Sequence, residues 1–472
     1  MENIVNINET QAITVAGMGD AVPGLPLAFH GTIIHSFSSK ELAIQENSLL
    51  VVANDGRIQL LLNDVDPDQV KNILAKEGYT PDAFPVKYLQ RGQFLIPGFI
   101  DTHNHAPQWA QRGVGQGKVL MDWLNDITFP HEARFEDPAY ARQMYGACVR
   151  GGLRQGITTA SYYGSQDCHA SKILAEVCFE LGQRAYVGKC NMNQNAPDWY
   201  RDQSAEESIR QTKDFITHVR SVDPQASLVT PILTPRFAIS CDRDVLSGLG
   251  DIARENPDLP IQTHFDEAEQ EIRLTKELFP EFENEADLYE HFGLLGKRSI
   301  LAHCIFLDDY QMGRVKALEC GVSHCPISTA IIGPFMAAPI REYLRRGIKV
   351  GLGTDNGGGF SSSILDVIRL AFVISNARQE ISNGRDPVLT IQEIFFLATL
   401  GGAQVCCLDE KIGNFTVGKE FDALEIHTLN PDGIMTPVQS EDSTAMIFEK
   451  FIMSGDDRNI AKVFVRGRSV KA

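Results

Sequence analysis

The chain has 472 residues, of which 43% are hydrophobic and 22% are charged, and its formal net charge is −18. The composition is typical of a soluble globular enzyme, and the length fits one large domain plus a smaller one, or two to three domains. The negative charge argues against binding to a nucleic-acid backbone or to an anionic membrane surface, because such partners usually need a basic face. No apolar run reaches the ~18 residues of a membrane-spanning helix, so none is expected.

The first residues do not combine a basic region with a following apolar region, so we expect no secretory signal. None of the ten cysteines is spaced C-x-x-C. In a long chain without a secretory signal, this favours reduced and mostly buried thiols. These features together predict a cytoplasmic protein.

The N-terminal part, residues 1–95, is expected to be rich in short strands, such as LAFHGTIIHSF (27–37) and NSLLVVAND (47–55). The dipeptide Asp55-Gly56 marks a turn after the second of these. The run FLIPGFIDTHNH (94–105) then predicts a buried strand that ends in polar side chains.

From residue 94 onward, apolar strand-like runs alternate with stretches of helical period. Eight runs fit strands: 94–105, 156–163, 184–192, 227–237, 259–265, 299–306, 321–327 and 348–355. Amphipathic stretches such as 138–156 and 206–221 lie between them. The alternation fits a (β/α)8 TIM barrel of the α/β class, and a doubly wound open sheet is the alternative.

The positions of the reactive side chains favour the barrel. Histidines and an aspartate follow the C-terminal ends of several predicted strands, which is the face on which barrel active sites are built.

Residues 410–472 return to short strands and turns. We expect this tail to pair with the N-terminal strands in a small β-sandwich. The predicted domains are therefore 96–406, the barrel, and 1–95 with 407–472, the β-sandwich.

Three histidines are the first candidates for a metal site. His103 and His105 are alternate residues at a strand end, so their side chains point to the same side. His264, at the end of PIQTHF, would bring the number of imidazoles to three, which is common in catalytic zinc sites. The alternative for the H-x-H pair by itself is two unrelated histidines in a loop.

Two carboxylates extend this site. Asp355 ends the apolar run IKVGLGTD, where a buried charge needs a partner such as a metal ion. Its alternative role is to cap the turn that follows. Glu267, three residues after His264, is close enough to move a proton without binding the metal, although by itself it also fits a surface carboxylate.

Three further polar residues fall on strands. His303 is expected to lie behind the metal ligands or to face developing negative charge, and its alternative is a buried core histidine. His324 is more typical of the core. Lys189 lies on the third predicted strand, whereas a lysine that bridges two metals would lie on the fourth, which has none. This favours one metal ion over two.

Several segments, in this order, resemble the amidohydrolase superfamily and, more closely, the guanine deaminases. PGFIDTHNH, THFDE, LAH and GLGTD carry the resemblance to the superfamily. THNHAPQ (102–108), TPRFAISC (234–241) and SGDDRNI (454–460) are more specific to guanine deaminases. The similarity also includes DWLNDITFPHEARF (122–135), and spans nearly all of the chain after residue 90.

The resemblance implies zinc-dependent hydrolytic deamination of guanine to xanthine and ammonia, with one Zn²⁺ per chain and a homodimer. By motif, it implies the following roles. His103, His105, His264 and Asp355 are metal ligands; Glu267, Asp355 and His303 are catalytic; Gln108, Arg236 and Phe237 contact the purine.

One segment departs from the family pattern: Ile327 and Thr329 in HCPISTA (324–330) stand where asparagines are often found.

Two other functions remain open. The same site could deaminate a different aminated heterocycle or dechlorinate a triazine. A non-enzymatic scaffold protein is the third possibility, but all four proposed ligands and Glu267 are present, which argues against it.

Overall fold

The computed structural model describes residues 26–80, 84–332 and 336–471. The strands are β1 (Leu27–Ser38), β2 (Glu41–Val52), β3 (Ile58–Leu62), β4 (Val86–Tyr88), β5 (Gln93–Pro97), β6 (Phe99–His105), β7 (Ile157–Tyr163), β8 (Arg184–Gly188), β9 (Cys190–Asn191), β10 (Val229–Pro231), β11 (Thr234–Pro235), β12 (Ile261–Phe265), β13 (Ser299–His303), β14 (Gly321–His324), β15 (Lys349–Leu352), β16 (Ala423–His427), β17 (Ile460–Val465) and β18 (Arg468–Ser469).

The α-helices alternate with the barrel strands and continue after them. They are α1 (Val70–Lys76), α2 (Leu120–Trp123), α3 (Phe129–Glu132), α4 (Pro138–Arg154), α5 (Cys168–Leu181), α6 (Ala205–Val222), α7 (Arg243–Glu255), α8 (Glu269–Leu278), α9 (Glu285–His291), α10 (Asp309–Ala317), α11 (Pro326–Ile331), α12 (Ile340–Arg346), α13 (Ile364–Ile381), α14 (Ile391–Ala398), α15 (Leu400–Val405) and α16 (Thr444–Ser454).

Eight parallel strands form the predicted (β/α)8 barrel. They lie in two groups, ordered β10-β8-β7-β6 and β12-β13-β14-β15. A parallel bridge between Leu233 and Ile261 joins the groups on one side. On the other side the amide of Asp355 donates to the carbonyl of His103 at 2.9 Å. Each of the eight strand-like runs of the sequence contributes one barrel strand.

A second sheet combines strands from both ends of the chain. Its order is β18-β17-β16-β5-β1-β2-β3, and β4 also pairs with β1. The central junction is antiparallel between β16 and β5. This confirms the expected pairing of the two chain ends in a separate β unit. The part of the expected N-terminal region before residue 26 lies outside the described residues.

Helix α4 illustrates how local sequence forms these elements. Asp137 is its N-cap and accepts a hydrogen bond from the amide of Ala139 at 2.9 Å, and Pro138 occupies the first turn. Buried residues such as Ala141, Tyr145 and Cys148 recur every three or four positions. This spacing places them on one face of the helix, which packs on the barrel.

Arg184 links the barrel to the second sheet. It lies at the start of β8, is buried, and pairs with Glu420 at 2.6 Å and with Asp422 at 3.0 Å. The two carboxylates belong to the segment that leads into β16, so a charged contact anchors the C-terminal return of the chain. A buried arginine needs such partners because an unpaired charge in the interior is strongly destabilising.

All ten cysteines are free thiols, and eight of them are buried. Among the described residues, no helix is long and apolar enough to cross a membrane.

Candidate active site

Four predicted ligands converge at the C-terminal end of the barrel. The Nε2 atoms of His105 and His264 are 3.1 Å apart. Asp355 Oδ1 lies 3.3 Å from His103 Nε2 and 3.5 Å from His105 Nε2. All four residues are buried. The fold therefore brings together side chains that are up to 252 positions apart in the chain, by the numbering from 103 to 355.

The chemistry of this cluster fits a metal ion. His103 Nε2 is buried and has no hydrogen-bond partner. Burial, followed by the closeness of the His103 imidazole, holds the pKa of His105 and of His264 well below the usual range. Neutral imidazole is the form that binds metals. Burial by itself would raise the pKa of Asp355, but the neighbouring imidazoles of His103, His303 and His105 together lower it well below the usual range and keep the carboxylate ionised.

The backbone fixes which nitrogen of His264 is available. Its Nδ1 lies 2.6 Å from the carbonyl oxygen of Arg236, which can only accept a hydrogen bond. Nδ1 must therefore carry the proton, and Nε2 keeps its lone pair toward the cluster. Outer contacts of this kind set the tautomer and orientation of metal-binding histidines.

Asp101 connects two of the three segments that carry the ligands. Its Oδ1 accepts from the amides of His103 at 3.3 Å and Thr354 at 2.9 Å. Its Oδ2 accepts from Asn104 Nδ2 at 2.8 Å and from Thr354 Oγ1 at 2.6 Å. One buried carboxylate thus ties the H-x-H segment of β6 to the residue before Asp355. Sequence reasoning missed it, although a charge inside the apolar run FLIPGFIDTHNH was a usable signal.

Glu267 and His303 lie beside the four ligands. His303 Nε2 is 3.5 Å from Glu267 Oε1. Candidate ligand atoms of His103, His264 and His303 all lie within 4.8 Å of one another. Burial and then the charge of Asp355 raise the pKa of Glu267 to about 8, and burial lowers that of His303 to about 3. At neutral pH the glutamic acid holds a proton while the imidazole is neutral.

The chain turns sharply where the barrel strands end. Asp266, His303 and Asp355 have φ values of 44°, 70° and 45°, in the left-handed region. Such backbone is uncommon for residues with a side chain and clusters at functional sites. In each case the turn directs a strand end into the cluster.

A pocket opens beside the cluster and contains all three predicted purine contacts. Its polar wall consists of His105, Gln108, Arg236, His264, Glu267 and Asp355, and its apolar wall of Leu120, Trp123, Leu124, Phe237 and Ile332. Phe237 meets His264 edge to face, with ring centroids 5.7 Å apart. The pocket thus joins proton-carrying groups, candidate metal ligands and a flat apolar surface.

Comparison with known proteins agrees with this arrangement. The amidohydrolase family model matches residues 94–470. A probable guanine deaminase of Schizosaccharomyces pombe is 40% identical over 442 residues, covering 94% of this chain and 83% of that protein. The guanine deaminase of Dictyostelium discoideum is 39% identical and is covered over 98% of its length, against 94% of this chain.

The structural comparison gives the same result. A crystal structure of guanine deaminase from C. acetobutylicum with bound guanine superposes with a TM-score of 0.84 at 30% identity, covering 94% of this chain and 100% of that one. The chain belongs to the guanine deaminase family of amidohydrolases.

Within this family fold, one residue behind the pocket escaped sequence reasoning. Glu132, at the end of α3, is 1% exposed. It accepts hydrogen bonds from Gln108 Nε2 at 2.8 Å, Arg236 Nη1 at 2.9 Å and Tyr200 Oη at 2.6 Å. In the sequence it stands between His131 and Ala133 in PHEAR, and no local pattern marks it as buried.

Other residues of the sequence analysis lie outside the cluster. Lys189 is fully buried and pairs with Asp202, which balances the charge of its ammonium group within the protein. His324 is buried, and burial lowers its pKa to about 3. In the unusual HCPISTA segment, Ile327 packs in the core and Thr329 donates to the carbonyl of Cys325 at 2.8 Å. Neither Ile327 nor Thr329 lines the pocket.

Proposed function

We propose that this chain is a zinc-dependent hydrolase that converts guanine and water to xanthine and ammonia. The observation that carries the proposal is that His103, His105, His264 and Asp355 converge beside a pocket that Gln108, Arg236 and Phe237 line. Family membership supports the same reaction, since the relatives are guanine deaminases.

The donor set supports one zinc ion per chain. Three imidazoles and one carboxylate match the nitrogen and oxygen ligands that Zn²⁺ accepts in catalytic sites. His303 lies near enough to hydrogen-bond to the reacting water or the substrate. Lys189 is the lysine considered above for a metal-bridging role, and its ammonium group pairs with Asp202. This argues for a single metal.

When bound, zinc supplies a charge that lowers the pKa of water from ~15.7 toward ~7. Asp355 accepts a proton from the attacking water at a carboxylate oxygen. Glu267, protonated near neutral pH, donates to a ring nitrogen as the water oxygen adds to C2 of guanine. Asp355 then gives its proton to the exocyclic nitrogen, the C2–N bond breaks, and ammonia leaves. The new C2 hydroxyl gives its proton to Glu267 and becomes a carbonyl of xanthine.

The remaining pocket residues bind and orient the base. Arg236 donates a hydrogen bond to the carbonyl oxygen of guanine, Gln108 meets the polar edge of the ring, and Phe237 forms a wall against its face. Leu120 and Trp123 line the pocket from the apolar side and exclude water from the reacting carbon.

We also infer a cytoplasmic homodimer from the resemblance and from the reduced thiols. The domain division proposed for it is 96–406 for the barrel and 1–95 with 407–472 for the β unit. The pairing of β16 with β5 supports this division. Light scattering coupled to size exclusion tests the dimer, and a monomer mass would contradict it.

A single assay tests the reaction. The purified protein is incubated with guanine, adenine, cytosine and a chlorinated triazine, with and without a chelator, and ammonia and chloride release are followed. We expect ammonia only from guanine and only without chelator. Turnover of another substrate in preference to guanine would contradict the proposal, and chelator-resistant turnover would exclude the metal.

A further inference from the structure

We call the side of the pocket that Gln108, Arg236 and Phe237 line the recognition side. A buried charge cluster lies behind it. At its centre is Glu132, which the proposed chemistry does not use. Its carboxylate accepts from Gln108 Nε2, from both terminal nitrogens of Arg236 (2.9 and 3.3 Å) and from Tyr200 Oη. Gln108 and Arg236 line the pocket, but Glu132 does not. Glu132 therefore acts on a bound purine only through these neighbours.

Glu132 determines which way the amide of Gln108 points. An ionised carboxylate has only acceptor atoms, so it must face the amino group of the amide and not the carbonyl. Gln108 Oε1 is buried and has no hydrogen-bond partner. Gly357 backs the same amide: a Cβ atom there would lie 2.2 Å from Oε1, and φ is +112°. Gln108 is thus held as a hydrogen-bond acceptor.

Glu132 determines the position of Arg236 in the same way. Both terminal nitrogens of the guanidinium group bind the carboxylate, and the group lies over the ring of Phe129 at 5.3 Å. The charge is matched inside the protein, while Nε is buried without a partner. Arg236 is thus held as a hydrogen-bond donor.

We propose that Glu132 is a positioning residue that sets the hydrogen-bonding polarity of the pocket. Through it, Gln108 accepts and Arg236 donates, so the pocket selects a ring edge on which an N–H group adjoins a carbonyl oxygen. This proposal rests on the proposed function, because guanine carries such an edge. The related base 2-aminopurine keeps the amino group on C2 but lacks both the carbonyl oxygen and the neighbouring N–H.

The substitution Glu132→Gln tests the proposal. A glutamine can donate as well as accept, so the Gln108 amide is free to turn over, and Arg236 loses its matched charge. The control is Glu136→Gln, the same chemical change four residues later at an exposed position. Steady-state kinetics are measured for guanine and 2-aminopurine with the zinc-loaded protein, and thermal melting checks that each variant is folded at the assay temperature.

We expect Glu132→Gln to lower the kcat/KM for guanine by about 100-fold, mainly through a higher KM, because two hydrogen bonds are misplaced. For 2-aminopurine we expect a change of less than about threefold, so that discrimination between the bases falls by about tenfold or more. Glu136→Gln should match the wild type. An equal loss for both bases would overturn the proposal, since a purely structural role predicts that result.

A second pair of variants covers the case in which Glu132→Gln does not fold. Arg236→Met is compared with the double variant Glu132→Gln/Arg236→Met, in which no unmatched buried charge remains. Because both variants lack Arg236, a further loss of discrimination between guanine and 2-aminopurine in the double variant measures the release of the Gln108 amide. We expect about a fivefold further loss. Equal discrimination in the pair would overturn the proposal.

The proposed function and this inference fail in different ways. If the wild type releases no ammonia from guanine, the proposed function falls and the inference falls with it. If the wild type is active and the ratio of the two bases is unchanged in the Glu132 variants, only the inference is wrong.

Discussion

The two sides of the pocket satisfy their polar groups in opposite ways. On the metal side, which carries the four candidate ligands, His103 Nε2 has no hydrogen-bond partner, and the Nε2 atoms of His105 and His264 face each other at 3.1 Å. On the recognition side, Glu132 and Arg236 neutralise each other within the chain. The first arrangement fits a cation, whereas the second matches its charges within the chain. Catalytic power and base recognition should therefore respond differently to perturbation.

Metal removal should have the largest effect and should separate the two sides. We expect chelation to reduce guanine deamination to background, because the ligands of the metal side then hold nothing that activates water. If the free zinc concentration was ~1,000 times Kd before chelation, the free energy of unfolding should fall by about 4 kcal/mol. Activity assays and thermal melts measure both effects. Zn²⁺ should restore activity and Mg²⁺ should not; recovery with Mg²⁺ would contradict a site built from imidazoles.

Glu267→Gln should be the most damaging single substitution that leaves the metal ligands intact. We expect kcat to fall by about 10²–10⁴-fold, since the variant cannot carry the proton that the ring nitrogen needs. Zinc content, measured by atomic absorption, should stay near one per chain. Glu269→Gln is the control, because Glu269 is exposed at the start of α8. Near-normal turnover of zinc-loaded Glu267→Gln would remove Glu267 from the mechanism.

Arg236→Ala perturbs the recognition side. The kcat/KM for guanine should fall by about 10²-fold, mostly through KM, while the zinc content is unchanged. The free energy of unfolding should also fall by about 3–5 kcal/mol, because Glu132 is left as an unpaired buried charge. Kinetics and denaturant melts test both. Arg210→Ala, at an exposed helical position, is the control; equal KM values in the two variants would exclude Arg236 from substrate binding.

Glu271 offers a smaller, pH-dependent test behind the metal side. It accepts a hydrogen bond from the amide of Glu267 at 3.0 Å, and burial raises its pKa from 4.5 to about 7. The folded protein binds this proton more tightly than the unfolded chain, so the stability it gives is present below pH 4.5 and lost as the pH rises through 7.

In Glu271→Gln that loss should disappear. Between pH 4.5 and 7 the unfolding free energy of the variant should change by about 2 kcal/mol less than that of the wild type. Thermal melts across this range measure it, and Glu277→Gln, exposed on the same helix, should follow the wild type. Parallel curves for the wild type and Glu271→Gln would show that the proton is not held there.

Much of the fold was predictable because strand and helix periodicity are local properties. The predictions were wrong where contacts between residues far apart in the chain decide the local structure. Residues 227–237 form two short strands, β10 and β11, because the chain changes its partner from β8 to β9 between them. Helix α1 lies within the N-terminal region expected to be rich in short strands, where Val70 and Leu74 pack one turn apart against the sheet.

The sequence alone determined the kinds of groups at the site and their places at strand ends. An H-x-H pair, a strand-end histidine and an aspartate in an apolar run are local patterns with a chemical reason. Only the tertiary structure decided how those groups are held. Asp101 reaches Thr354 across 253 positions and Arg236 reaches Glu132 across 104. Such contacts leave no periodic trace, because a buried charge is stabilised by its partner in space and not by its neighbours in the chain.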